Sequence, residues 1–246
     1  METPKFIFIT RLACDFGQFR GHHRRPIAKI ASLVDCWHRF GSKFYEAQTV
    51  QAPFEVRLIY SPPYRALVHR REYPDWATLH LLAGHPAYDL SGEEHRPLVV
   101  SRIDVDDQYS IHFFEVMTEI AGRILRARAA GKPTPNLVLH QLSVQYHRKW
   151  KTTRGPTRDR RPHFTSLVFG PGDGPINYAE LRKGVCDGHG TAGKRPHVKS
   201  DPHVLALEGI GGNVANRWKG GKGSIAADPR FIYHGADARA GRLPDA

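Results

Sequence analysis

Pro97-Leu98-Val99-Val100-Ser101-Arg102-Ile103-Asp104-Val105-Asp106-Asp107 is an apolar, β-prone run that stops on three carboxylates within four residues. A short apolar run of this kind reads as a strand buried on both faces. Its acidic end then lies at the carboxyl edge of a sheet, where open α/β sheets place their ligands. Downstream, Ile111, Phe114, Met117, Ile120, Ala121, Ile124 and Leu125 recur at three- and four-residue intervals, which predicts an amphipathic helix ended by Gly131, Pro133 and Pro135. Upstream, Lys5–Thr10 and Phe54–Tyr60 read as two further strands. Between them, Ile27–Gln48 carries apolar residues at helical spacing, with Gly41 as an expected break. A short helix is expected around Trp76–Ala83. This alternation predicts one α/β domain over residues 1–235, built on a central, mostly parallel sheet flanked by helices.

Asn136–Tyr146 and His163–Phe169 read as strands on either side of a basic connector. Beyond Gly170 turn residues dominate, so the C-terminal half is expected to be irregular, ending in a flexible tail over 236–246. Three cysteines, Cys14, Cys36 and Cys186, fit neither a disulfide framework nor a Cys-x-x-Cys site, and no apolar run reaches the length of a membrane span. Both features predict a reduced, cytoplasmic protein. A net charge of +12 says that the surface attracts anions without saying which.

Asp104, Asp106 and Asp107 suit a divalent cation. Mg²⁺ or Mn²⁺ takes oxygen ligands and is held by one or two carboxylates together with substrate phosphates. In an extended segment Asp104 and Asp106 share a face, while Asp107 turns to the other or begins the next turn. The same acids also read as a cap for the following helix, since Asp near a helix N-terminus is electrostatically favoured. Arg11 and Arg102, each at the end of a predicted strand, can bind phosphate oxygens or pair with those acids. The connector from Lys149 to Pro162 carries Arg154, Arg158, Arg160 and Arg161, and reads either as a flap over an anion or as a solvated basic loop. Trp150 among those cations admits base stacking, so a nucleic-acid binder is the alternative from another class, although no helix-turn-helix, RNP1 or zinc-finger pattern accompanies it. His163, His189 and His234 read as ordinary histidines, with Asp187-Gly188-His189-Gly190 the most suggestive setting.

The string Ser101-Arg102-Ile103-Asp104-Val105-Asp106-Asp107 resembles the Arg-Leu-Asp-x-Asp-Asp signature of the rhamnosyltransferase family, a GT-A-like group of bacterial glycosyltransferases. Thr10-Arg11, Ala47-Gln48-Thr49 with Phe54, and Gly211-Gly212-Asn213-Val214-Ala215-Asn216 follow the family's order, so the resemblance spans most of residues 5–217. It implies a GT-A-like fold and transfer of a sugar from a nucleotide-diphosphate-sugar donor to a glycan or other hydroxyl acceptor. It implies Mn²⁺ or Mg²⁺ at Asp104, Asp106 and Asp107, and donor contacts from Arg11, Arg102 and Asn213. Gly212 stands where the family carries a histidine, and no role for that residue carries over. A sugar-nucleotide binder without turnover shares the same resemblance, and specific nucleic-acid recognition is not expected.

Overall fold

The computed structural model describes residues 2–14, 27–140, 142–147, 152–158, 164–173, 181, 195–199 and 206–210; in 142–147, 152–158, 199 and 206–210 only the backbone is described. The first strand, β1 (Lys5–Ala13), runs through the middle of a seven-stranded sheet. Its alternation separates two apolar layers. Phe6 and Phe8 face one side with Val56, Leu58 and Val99, while Ile7 and Ile9 face the other with Ile59, Leu98 and Val100. Both faces of the central strands are therefore covered, which is why they read as continuous apolar runs.

In chain order the elements are β1, α1 (Ile27–Cys36), a π-helical turn (Trp37–Gly41), α2 (Lys43–Glu46), β2 (Phe54–Tyr60), α3 (Arg65–Val68), β3 (Ala77–Leu81), β4 (Leu98–Ile103), β5 (Asp107–Tyr109), α4 (Phe113–Ala129), β6 (Leu137–His140), β7 (Leu142–His147), β8 (Thr152–Arg158), β9 (Phe164–Phe169), β10 (Val198–Lys199) and β11 (Ala206–Ile210). The large sheet has the order β10-β6-β9-β4-β1-β2-β3. Pairing is parallel throughout except at β9, which runs antiparallel to both β4 and β6. The expected mostly parallel α/β sheet is thus present. The two longest helices, α1 and α4, pack on the same face through Ile30, Leu33, Val34, Met117, Ile120 and Ile124. The opposite face is covered by Ala87, Tyr88, Leu90 and Leu181.

Three expectations are corrected. The helix expected around Trp76–Ala83 is the edge strand β3, paired in parallel with β2. An edge strand covered on one side has too few apolar residues for its period to be read. At Gly41 the stretch does divide into two α-helices as expected, through a π-helical turn that ends on the glycine and leads into α2. The strand expected over Asn136–Tyr146 is two strands, β6 in the large sheet and β7 in a second, four-stranded sheet of order β5-β11-β7-β8. The described part of the basic connector is the edge strand β8 rather than a loop. Gly155-Pro156 fall where its register against β7 slips between Ser143 and Gln145. An edge position and a bulge are the places in a sheet that tolerate proline and glycine.

Gln48 ties α2 to α4. Its Nε2 donates to the Phe44 carbonyl at 2.9 Å and the Ser110 carbonyl at 3.1 Å, and its Oε1 accepts from the Phe114 backbone N–H at 2.9 Å. Thr49 continues the seam, its backbone N–H donating to the Ile111 carbonyl at 2.8 Å. One buried amide therefore satisfies a carbonyl of α2 and an N–H of the first turn of α4, both left open at helix ends, and adds a second bond to the Ser110 carbonyl between them. Among the described residues no helix is long and apolar enough to cross a membrane, and Cys14 and Cys36 are buried and not joined in a disulfide.

Candidate functional site

The sheet order reverses beside β1. From β1 the chain moves outward through β2 to β3, then returns to place β4 on the other flank of β1. Two adjacent parallel strands whose successors lead in opposite directions leave a crevice at their carboxyl ends, and that crevice is the common ligand position of such sheets. Thr10 pairs with Ile103 at this edge. The chain beyond these residues delivers Arg11 from one strand and Asp104 from the other.

Arg11 Nη2 lies 3.5 Å from Asp104 Oδ1, and Arg102 Nη2 lies 3.2 Å from Oδ1 and 3.4 Å from Oδ2 of the same carboxylate. The two guanidiniums and the acid thus form one cluster. Its members differ in access: the side chain of Arg102 is 8% exposed, whereas those of Arg11 and Asp104 are 25% and 24% exposed. Two guanidiniums converge on one carboxylate at the strand ends, and guanidinium groups are the donors that bind phosphate oxygens most directly.

Past Asp104 the chain turns instead of continuing extended. The Asp107 backbone N–H donates to the Asp104 carbonyl at 3.2 Å, so the turn begins directly after Asp104, and Asp104 and Asp106 do not share the face of an extended segment. Asp106 and Asp107 are buried, and Asp107 opens β5, paired with Glu208 of β11. Among the described residues no group of three or more His, Cys, Asp or Glu side chains is placed to hold a metal ion. The all-oxygen donor set nevertheless suits Mg²⁺ or Mn²⁺ in a site where one or two carboxylates share the ion with phosphate oxygens. Of the three carboxylates, Asp104 is the accessible one that could share such an ion. Nor do the acids cap α4: the residue before that helix is His112, and Gln48 supplies the side-chain acceptor for its first turn.

The π-helical turn holds the acidic turn in place. Gln108 Nε2 donates to the Phe40 carbonyl at 2.7 Å, and a Cβ added to Gly41 would stand 2.3 Å from the Val105 carbonyl oxygen. Single π-helical turns inside α-helices frequently mark functional sites. Neither contact is legible in the sequence, because the partners are more than sixty residues apart.

Beneath β4 lies a buried polar chain. Ser101 Oγ and Ser166 Oγ are 2.6 Å apart, His140 Nε2 is 2.8 Å from Ser166 Oγ, and Tyr109 Oη donates to the Arg102 carbonyl at 3.0 Å. Two serines and a histidine inside apolar strands were its only trace in the sequence. Burial holds the His140 imidazole neutral, its pKa lowered to about 3. An unfolded histidine takes a proton near pH 6.5, so acid favours the unfolded chain and stability falls as pH drops from about 6.5 toward 3. Between pH 6.5 and pH 5 the expected loss from this residue is roughly 2 kcal/mol. Urea unfolding at the two pH values should show it, and His140→Gln should flatten the dependence; an unchanged slope in that variant assigns the loss to other groups.

The basic strand β8 stands at the far edge of the small sheet. Asp107, Glu208, Gln145 and Arg154 occupy one cross-strand row, with Arg158 farther along opposite Leu142. Three strand spacings separate the Arg154 backbone from that of Asp107, about 14 Å. Arg160, Arg161 and Asn213, the three other histidines singled out above, and the tail over 236–246 lie outside the described residues. No protein-family model matches this chain, and no curated protein matches it.

Proposed function

We propose that this protein is a metal-assisted glycosyltransferase with a GT-A-like fold, moving a sugar from a nucleotide-diphosphate donor to a hydroxyl acceptor in the cytoplasm. The observation that carries the reading is the Arg11–Asp104–Arg102 cluster at the reversal of the sheet order. A sheet with one antiparallel strand beside the acid-bearing β4 supports the GT-A-like assignment. Arg102, nearly buried and held on Asp104, is a fixed donor; Arg11, paired with the same carboxylate and more exposed, presents the more accessible guanidinium to a phosphate. Mg²⁺ or Mn²⁺, held by Asp104 and shared with the diphosphate, would neutralise the charge that develops on the leaving group.

A thermal-shift screen of UDP, GDP, dTDP and their sugars, with and without Mn²⁺, tests the reading. A ligand that binds only the folded state raises the midpoint with the logarithm of saturation, so one base should give a larger shift that depends on metal. Equal responses to every nucleotide, matched by inorganic pyrophosphate, would reduce the site to a general anion trap. A salt-resistant shift with nucleic acid would favour the alternative class.

A further inference from the structure

A second concavity lies on the other side of the π-helical turn. It is a cleft of about 380 Å³ between that turn, α2 and the segment leading into β3. This volume is in the range of small-ligand sites, about 300–1,000 Å³. We infer that this cleft is a binding site for a neutral saccharide, separate from the strand-end crevice and independent of its assignment.

The walls are aromatic. Trp37 and Trp76 have ring centroids 6.0 Å apart, Trp37 and Tyr73 5.7 Å, and His38 and Tyr73 4.9 Å. Trp37 is buried and forms the floor, while Tyr73 and Trp76 are partly exposed. The Trp76 indole is fixed, its Nε1–H donating to Glu46 Oε1 at 2.8 Å. Sugar rings present patches of C–H groups that are apolar and slightly positive, complementary to the negative face of an aromatic ring. The rim supplies the rest: Glu46 and Glu72 accept hydrogen bonds, Lys43 donates, and Ser42 does both. Hydroxyl groups, each a donor and an acceptor, match such a mixed rim.

Charge narrows the choice of ligand. Burial, followed by the nearby Arg71, lowers the pKa of His38 and keeps its ring neutral near pH 7. Lys43, Glu46 and Glu72 then leave the cleft with one net negative charge in a chain carrying +12 overall. That sign disfavours nucleotides and other anions. An aromatic cage with acidic groups on its rim can also take a quaternary ammonium ion, so choline is the competing ligand that the test includes.

The test is calorimetric titration of the full chain, without metal or nucleotide, with maltose, cellobiose, lactose and choline. Saturable binding of at least one disaccharide is expected, with Kd on the order of 1–10 mM. Glu72→Ala, at an exposed position, should weaken it at least about fivefold, and Tyr73→Ala should weaken it further with the thermal midpoint checked in parallel. Absence of saturable heat with every disaccharide, saturation by choline instead, or binding unchanged in the Glu72 variant would overturn the assignment. Nucleotide-diphosphate binding at the strand ends, measured separately, should be unchanged in Glu72→Ala, so the two sites fail or stand independently.

Discussion

Asp104→Asn should weaken Mn²⁺-dependent binding of the donor nucleotide at least tenfold, about 1.4 kcal/mol. The acid is the accessible carboxylate of the acidic turn and the point on which Arg11 and Arg102 converge. Asparagine keeps its shape and removes its charge, so a cation shared with the diphosphate loses a ligand. The metal-free measurement separates two roles. If Asp104 only balances the guanidiniums, neutralising it releases two cations for the phosphate, and nucleotide binding should tighten with and without Mn²⁺. If it holds the metal, binding should drop with Mn²⁺ and stay level or rise without it. Titrations of the wild type and the variant under both conditions decide between these outcomes; tighter binding in the presence of Mn²⁺ would end the metal assignment. Asp106→Asn and Asp107→Asn, at buried positions, are expected to register in stability.

Gly41→Ala should lower unfolding stability by about 1–3 kcal/mol, although alanine is the better helix former. Its methyl group would stand 2.3 Å from the Val105 carbonyl oxygen and 3.1 Å from the Val105 carbonyl carbon. Those are backbone atoms of the acidic turn and cannot rotate away as a long side chain would. The gain from removing a glycine in a helical turn, about 1 kcal/mol, is smaller than the cost of moving the backbone. Relief must come from shifting the turn that carries Asp104–Asp107, so nucleotide affinity should fall together with stability. Urea unfolding and the Mn²⁺-dependent titration check both effects. Lys43→Ala, exposed on the adjoining helix, is the control and should stay within about 0.5 kcal/mol of the wild type. A Gly41 variant as stable as wild type would mean that the turn relaxes without cost.

β1, β2, β4 and α4 were legible in the chain itself. Each carries its evidence locally, as an apolar run bounded by turn residues or as apolar residues at helical intervals, because burial on a central sheet imposes those patterns on neighbouring residues. The placement of Asp104 at the carboxyl end of β4 followed from the same local reading. β3 escaped it, since an edge strand with five residues and no fully buried side chain leaves no such pattern. Most of the site was settled only by contacts across long stretches of chain. The return of β4 to the flank of β1 sets Arg11 against Asp104, ninety-three residues away. The turn after Asp104 moves Asp106 and Asp107 into the interior, and the close approach of Gly41 to Val105 joins two segments whose sequences carry no sign of each other. Local sequence dictates which residues are strand, helix and charge, because those depend on nearest neighbours. Which charges meet depends on the order of strands in the sheet, a property of the folded whole.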